Sequence, residues 1–185
     1  MKLRSQDPRY KKINVSILGD SILGVWNGSA YELVTYLSGL YPDKTFEKRQ
    51  IKLGGTGSPY FMAGMWQICH YNPDLIIIIE YEGWTENDYL ETMFRYFRKY
   101  TSSDIAVIPW SLHAVEMDKL SAGNIDGFIE GQDQIIRQNF FTLCSKYGVQ
   151  IIDVHQPWFR VLLDGTETSA TLLADTLHPN SHGLS

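Results

Sequence analysis

Cysteine and long apolar runs are both scarce in this sequence. Only two cysteines, Cys69 and Cys144, occur among its 185 residues, and they do not have the spacing of a metal site. Both lie in apolar stretches typical of helices, so we expect buried free thiols, and nothing favours a disulfide. The longest apolar run covers residues 75–79, which is far too short to cross a bilayer. A helical membrane span and a cysteine-based metal site are therefore excluded.

Positive charge is also in short supply. Lysine and arginine total 16 against 21 aspartates and glutamates, which gives a net charge of −5. There is no basic stripe, so the composition argues against a nucleic-acid partner. Residues 1–12 are polar and lack the apolar stretch of a secretory signal. We therefore expect a cytoplasmic protein, or a mature domain from which a signal has been removed.

Strand-like and helix-like segments alternate along the chain. An apolar content of 44% and a length of 185 residues suit one domain, 1–185, with a sizeable core. The patterns predict strands at 13–19, 48–53, 74–80, 104–110 and 149–154, and helices at about 30–40, 59–71, 88–100 and 126–147. Such alternation predicts an α/β fold with a parallel sheet.

A serine follows the first predicted strand. Residues 13–18 are mainly apolar and are followed by Gly19, so Ser21 is expected where the strand meets the next element. Near the other end of the chain, Asp175 and His178 supply a carboxylate and an imidazole three residues apart. Ligands of open parallel sheets bind beyond the carboxyl ends of the strands. Polar loops are predicted at that edge at residues 19–24, 54–58 and 82–88.

These residue types in this order are typical of a serine hydrolase. Ser21 is the predicted nucleophile, and its hydroxyl needs a base to remove its proton. His178 is the predicted base, and Asp175 would hold the proton of its Nδ1 and stabilise the imidazolium. Either motif alone also suits a turn or a helix cap, whereas the two together favour catalysis. His182 is an alternative base.

An acyl-transfer reaction also needs hydrogen-bond donors for the tetrahedral oxyanion. The backbone N–H of Ser21 is one candidate. Residues 54–58 (GGTGS) follow the second predicted strand and offer another, because glycine lets the backbone approach a substrate closely. An ordinary glycine-rich turn is the alternative. A phosphate cradle is disfavoured, since neither the P-loop spacing nor the GxGxxG spacing is present.

Three blocks of the sequence resemble the SGNH, or GDSL-type, hydrolase family. Residues 19–23 (GDSIL) resemble the nucleophile block, residues 54–58 the block whose glycine N–H faces the oxyanion, and residues 175–179 (DTLHP) the final acid–base block. Gly57 aligns best with that glycine, and Gly55 is the second choice. The resemblance covers nearly the whole chain. It implies a flavodoxin-like, three-layer α/β/α sandwich with strand order 2-1-3-4-5, ester hydrolysis through an acyl-enzyme, and neither metal nor other cofactor.

Two features depart from the family pattern. The family has Gly-x-Asn-Asp after the third strand, and its Asn is an oxyanion donor, but here three residues separate Gly83 from Asn87. Either a longer loop brings Asn87 to the site, or the donor is missing and the Trp84 indole N–H replaces it; capping of the next helix is the other role for Asn87. The family usually continues into a helix after its final block, whereas this sequence ends at Ser185, so we expect that helix either to have been cut away or to lie in a longer parent chain.

Aromatic residues suggest the class of substrate. They make up 13% of the chain, and Trp84 and Trp110 lie at or just beyond predicted strand ends, where rings could stack on sugar faces. Core packing is the alternative role for these rings. His113 is predicted in a loop near the same crevice and is a third candidate substrate contact. We expect a small-molecule or oligosaccharide ester, with a short acyl group such as acetyl on a carbohydrate.

Two other functions stay open at this stage. An O-acyltransferase would use the same three residues, with a sugar hydroxyl in place of water. A non-catalytic carbohydrate-binding relative would agree with the altered third block. Flavin binding is disfavoured, because the first loop lacks a phosphate cradle rich in serine and threonine.

Overall fold

The computed structural model describes residues 6–19, 23, 29–52, 58–81, 87–110, 113–131, 134–152, 155–176 and 178–183. The strands are β1 (Lys12–Gly19), β2 (Thr45–Lys52), β3 (Leu75–Tyr81), β4 (Asp104–Trp110) and β5 (Gln150–Ile151). They form one parallel sheet with the order β2-β1-β3-β4-β5. This confirms the parallel sheet and its strand order.

The helices lie between and after the strands. They are α1 (Ser29–Leu40), α2 (Ser58–Tyr71), α3 (Asn87–Tyr100), α4 (Ala114–Ser121), α5 (Ile125–Gly131), α6 (Gln134–Tyr147), α7 (His155–Leu163) and α8 (Ser169–Leu172), preceded by a short 3₁₀ helix at Pro8–Tyr10. The helix predicted at 126–147 corresponds to α5 and α6, and residues 132–133 lie outside the described residues. None of the helices in the described segments has the length and apolarity needed to span a membrane.

Helices cover both faces of the sheet. Ile77 and Ile79 of β3 pack in one apolar core with side chains from α4, α5, α7 and α8, and with Leu33 of α1. Ile76 and Ile78 pack in a second core with side chains from α2, α3 and α6. Successive side chains of a strand point to opposite faces, so an uninterrupted isoleucine run supplies both cores. The three-layer α/β/α sandwich is thereby confirmed.

The two cysteines are free thiols. Cys144 on α6 is buried, and this burial raises the pKa of its thiol to about 12. Cys69 on α2 is half-buried, and burial raises its pKa as well. The expectation of a buried thiol is therefore confirmed for Cys144 and only partly for Cys69. Because the thiolate is the nucleophilic form of cysteine, burial disfavours the reactive form of Cys144.

Candidate active site

The carboxyl ends of β1, β3 and β4 lie side by side at one edge of the sheet. In the strand register, Gly19 is opposite Ile79, and Tyr81 is opposite Trp110. Neighbouring strands are about 4.8 Å apart, and β4 extends two residues beyond the position level with Gly19, so the ends of β1 and β4 are separated by about 12 Å. Gly19, Tyr81 and Trp110 therefore end their strands near one another at this edge.

Gly19 is the buried last residue of β1 and stands two positions before Ser21. A Cβ atom built on Gly19 would lie 2.7 Å from the Cβ of Leu23 and 2.9 Å from the carbonyl oxygen of Ile79. Leu23 is itself fully buried in the same core as Ile79. Gly19 and Leu23, which flank residues 20–22 in the sequence, are therefore both held in the packed interior, the first at a strand end that admits no side chain.

We expect Gly19→Ala to destabilise the protein by about 1–3 kcal/mol, because overpacking moves the strand end or Leu23. Denaturant unfolding measures this effect. Gly39→Ala is the matched control, since a Cβ on this glycine of α1 would have no atom within 4 Å, and alanine in a helix is expected to add about 0.5–1 kcal/mol of stability. Equal stability of the two variants would contradict the crowding at Gly19.

Asp175 and His178 form the best-defined polar contact at the candidate site. The ring Nδ1 of His178 is 2.8 Å from Oδ2 of Asp175, and the backbone N–H of His178 donates to Oδ1 at 2.7 Å. The His178 side chain is 25% exposed and that of Asp175 is 54% exposed. One carboxylate thus fixes both the backbone and the ring of the histidine. A proton held on Nδ1 leaves the ring lone pair on Nε2, the form that a general base requires.

A small hairpin-like closure holds this pair. Leu173 and Pro179 form an isolated antiparallel bridge, and the N–H of Ala174 donates to the carbonyl oxygen of His178 at 2.7 Å. Leu173 is buried in the core below. The loop that bears the acid and the imidazole is consequently tied at both ends to the packed part of the molecule.

Asn180 organises the chain directly after this loop. Its Nδ2 donates to the carbonyl oxygens of Thr171 and Leu173 at 2.9 and 3.2 Å. Its Oδ1 accepts from the backbone N–H groups of His182 and Gly183, both at 2.9 Å. A single amide side chain thus joins the end of α8 to the segment after Pro179. Sequence analysis did not single out this residue.

We expect Asn180→Ala to lower the free energy of unfolding by about 1–3 kcal/mol, because four backbone groups lose their partner. The Asp175–His178 loop loses one of its ties, so the activity proposed below for this loop should fall with it. Asn124→Ala is a suitable comparison. Among the bonds observed for the described residues, the Asn124 side chain accepts only from the backbone N–H of Gly127, and such a capping contact is worth about 1 kcal/mol. Unfolding curves and initial rates measure both effects, and an unchanged Asn180→Ala variant would contradict the positioning role.

The start of α4 adjoins the loop that bears Asp175 and His178, called the acid–base loop below. The N–H of Ala114 donates to the carbonyl oxygen of Thr176 at 2.9 Å, and His113, the N-cap of α4, is half-buried and makes no side-chain capping bond. α4 follows β4, so this contact brings the loop of Asp175 to the carboxyl edge of the sheet. Sequence analysis predicted His113 near the crevice, and the structure places its backbone beside that loop.

The other predicted site residues are only partly described. Asn87 is the first residue of α3, and Trp110 is the last residue of β4, so both backbones lie at the same edge of the sheet. Ser21, Trp84, Gly57 and the second-choice Gly55 lie outside the described residues. Their contacts with the Asp175–His178 pair therefore stay predictions.

His182 belongs to a second carboxylate–imidazole pair. Its Nε2 is 2.8 Å from Oε1 of Glu167, and its side chain is 59% exposed. Hydrogen bonds from Thr171 and from His182 lower the pKa of Glu167, the bond from Thr171 contributing more. Here the carboxylate engages Nε2, the nitrogen that a general base would use. This geometry favours His178 over His182 as the base.

Among the described residues, no group of three or more His, Cys, Asp or Glu side chains is gathered in a way that could hold a metal ion.

Comparison with known proteins establishes the fold. No protein-family model matches the sequence, and a search of curated proteins finds no match. Among solved structures, the acetylxylan esterase Axe2 from Geobacillus stearothermophilus matches with a TM-score of 0.74 and 16% identity, over 100% of this chain and 91% of that chain.

Two further structures have the same architecture. An alpha/beta hydrolase enzyme from the metagenome of Lake Arreo, Spain, matches with a TM-score of 0.64 and 15% identity, over 93% of this chain and 89% of that chain. An extracellular lipase from Streptomyces rimosus matches with a TM-score of 0.61 and 13% identity, over 94% and 95%. At such identities the similarity is one of fold, and it extends over nearly the whole chain.

Proposed function

We propose that the protein is a serine esterase that hydrolyses a short-chain acyl ester, such as an acetyl ester, on a carbohydrate. The observation that carries this proposal is the Asp175–His178 contact, in which one carboxylate holds both the ring Nδ1 and the backbone N–H of the histidine. The loop that bears this pair is hydrogen-bonded to Ala114, at the start of the helix that follows β4. β1 ends at the same edge of the sheet, and Ser21 follows its last residue, Gly19, by two positions in the sequence.

The proposed mechanism proceeds through an acyl-enzyme. The hydroxyl oxygen of Ser21 attacks the acyl carbonyl while Nε2 of His178 accepts its proton, and Asp175 stabilises the imidazolium. The N–H groups of Ser21 and Gly57, with the side chain of Asn87, donate to the oxyanion. The sugar alcohol leaves with the proton from the imidazolium. Water then attacks the acyl-serine with the same base, and the free acid leaves.

A carbohydrate ester is the substrate class that these observations favour. The fold is shared with an acetylxylan esterase, and Trp84 and Trp110 are proposed to stack on sugar rings. His113 is the third proposed substrate contact, because the N–H next to it binds Thr176 in the acid–base loop. A short acyl group is proposed because the fold is shared with an acetylxylan esterase. The proposed mechanism uses no cofactor.

Active-site labelling tests the proposal directly. A fluorophosphonate probe is expected to modify one peptide, the one that contains Ser21, because only an activated serine attacks such a probe. Acetate should be released from acetylated xylo-oligosaccharides, and p-nitrophenyl acetate should react faster than longer esters. Addition of a free oligosaccharide acceptor separates hydrolysis from transfer to a second sugar. Absence of both labelling and acetate release would rule out the esterase.

A further inference from the structure

A groove of 590 Å³ lies beside the carboxyl-terminal half of α3, far from the candidate active site. Its walls include Arg95, Tyr96, Arg98, Lys99 and Tyr100 of α3 and Tyr147 of α6. α3 has 14 residues and rises about 1.5 Å per residue, so the end that carries the groove is about 20 Å from the sheet edge where α3 begins. The volume is within the range of small-ligand sites.

The groove is strongly basic in a chain that is acidic overall. Arg95 and Lys99 are four positions apart and share one side of α3, and both are exposed. The guanidinium of Arg98 is fixed by donation to three backbone carbonyls, those of Tyr147, Ser103 and Gly148, at 2.8, 2.8 and 2.7 Å. Three cations therefore line the groove, and the one at Arg98 is held rigidly.

Glu91, one turn before Arg95 on α3 and electrostatically attracted to it, does not cancel this charge. Glu91 accepts from Nζ of Lys146 at 2.7 Å and from the Tyr147 hydroxyl at 2.5 Å. Lys146 therefore neutralises Glu91 on the α6 side of the groove. The cations of α3 keep their excess positive charge, whereas the whole chain carries a net charge of −5. This local reversal of sign favours an anionic ligand.

A row of tyrosines runs beside the cations. The rings of Tyr96 and Tyr100 lie with centroids 4.5 Å apart, and Nζ of Lys99 lies 4.9 Å from the centroid of the Tyr100 ring. Tyr100 is 51% exposed. An exposed ring next to several cations suits a ligand that has both an apolar ring face and anionic groups.

We propose that this groove is a non-catalytic binding site for an oligosaccharide that carries carboxylate groups, that is, one with uronic acid residues. The sugar face packs on Tyr100, and the carboxylates pair with Arg95 and Lys99. A nucleic acid strand also combines stacking and charge, but it is bound along a basic groove that follows its backbone, whereas the cations here are confined to the end of one helix in a chain with a net charge of −5.

The role of such a site in catalysis rests on the proposed function. A second site on the same chain raises the effective concentration of a bound polymer at the active site. Loss of the groove should therefore raise KM for an acetylated acidic polysaccharide and leave kcat and KM for p-nitrophenyl acetate unchanged.

Binding is measured by calorimetry with oligogalacturonate and, as the neutral probe, xylo-oligosaccharide of equal length, both free of acyl groups. We expect at least about tenfold tighter binding of the acidic probe at low salt, falling as salt is added. Arg95→Gln/Lys99→Gln should weaken it about tenfold or more. Tyr100→Ala should weaken the binding of the acidic probe about threefold or more, because the sugar loses the ring on which it packs. Purely electrostatic attraction would not depend on this uncharged ring. The matched control is Lys11→Gln/Arg160→Gln, which removes two exposed charges elsewhere.

Three results would overturn the assignment: equal affinity for the acidic and neutral probes, an equal loss in the control variant, or tighter binding of oligothymidylate than of oligogalacturonate. All arms are repeated with Ser21→Ala, in which hydrolysis is absent under the proposed mechanism. A protein that binds oligogalacturonate but cleaves no ester would contradict the esterase and leave the groove assigned. One that cleaves esters but does not bind oligogalacturonate would contradict the groove alone.

Discussion

Replacement of Ser21 by alanine is expected to lower ester turnover by about 10⁶-fold, the loss seen when a serine hydrolase loses its nucleophile. The residual rate reflects substrate binding and oxyanion donors alone, without an acyl-enzyme. Initial rates with p-nitrophenyl acetate and an acetylated xylo-oligosaccharide measure the loss. The fold should be retained, because alanine removes only one oxygen atom.

The control for this variant is Ser121→Ala. Ser121 is an exposed residue at the end of α4 whose hydroxyl donates to the carbonyl oxygen of Met117 at 3.0 Å. This variant should keep full turnover and its fluorophosphonate labelling, whereas Ser21→Ala should lose both. More than about 1% residual turnover in purified Ser21→Ala, with normal unfolding behaviour, would contradict the role of Ser21 as nucleophile.

Local patterns in the sequence predicted the sheet and the contact between Asp175 and His178. The isoleucine run of β3 has no polar face, and only a central parallel strand buries both of its faces. The Asp175–His178 spacing predicted a contact within one turn of the chain, and the hydrogen bonds of 2.7 and 2.8 Å agree with it. Both features depend on residues that are close in sequence, which is why a single sequence was sufficient.

Features that depend on contacts between distant segments were missed. The crowding at Gly19 involves a carbonyl of β3, and the pairing of Glu167 with His182 joins residues 15 positions apart.

Short elements were also difficult to predict. α8 has only four residues, too few for a helical period to appear. β5 was predicted at 149–154; within the described residues 149–152 this edge strand covers Gln150–Ile151, and residues 153–154 lie outside the described part of the chain.

Asp175→Asn is expected to reduce turnover by about 10⁴-fold with little change in fold, as in other triads in which the acid becomes an amide. In the unmodified protein, the carboxylate of Asp175 accepts from the ring Nδ1 and from the backbone N–H of His178. An amide has one oxygen, and if this oxygen keeps the backbone N–H, its NH₂ group faces Nδ1. The ring proton then moves to Nε2, where a base needs a lone pair. The expected loss is therefore in kcat rather than in KM.

Glu167→Gln provides the matched control, because it makes the same carboxylate-to-amide change in the other carboxylate–imidazole pair. Glu167 contacts Nε2 of His182, and the His182 side chain is 59% exposed, so the change should leave turnover within about threefold and affect mainly stability, as for other surface pairs. If Glu167→Gln instead lost turnover and Asp175→Asn kept it, His182 would be the base, and the Asp175–His178 contact would be only a turn. The two variants together thus assign the base from kinetics alone.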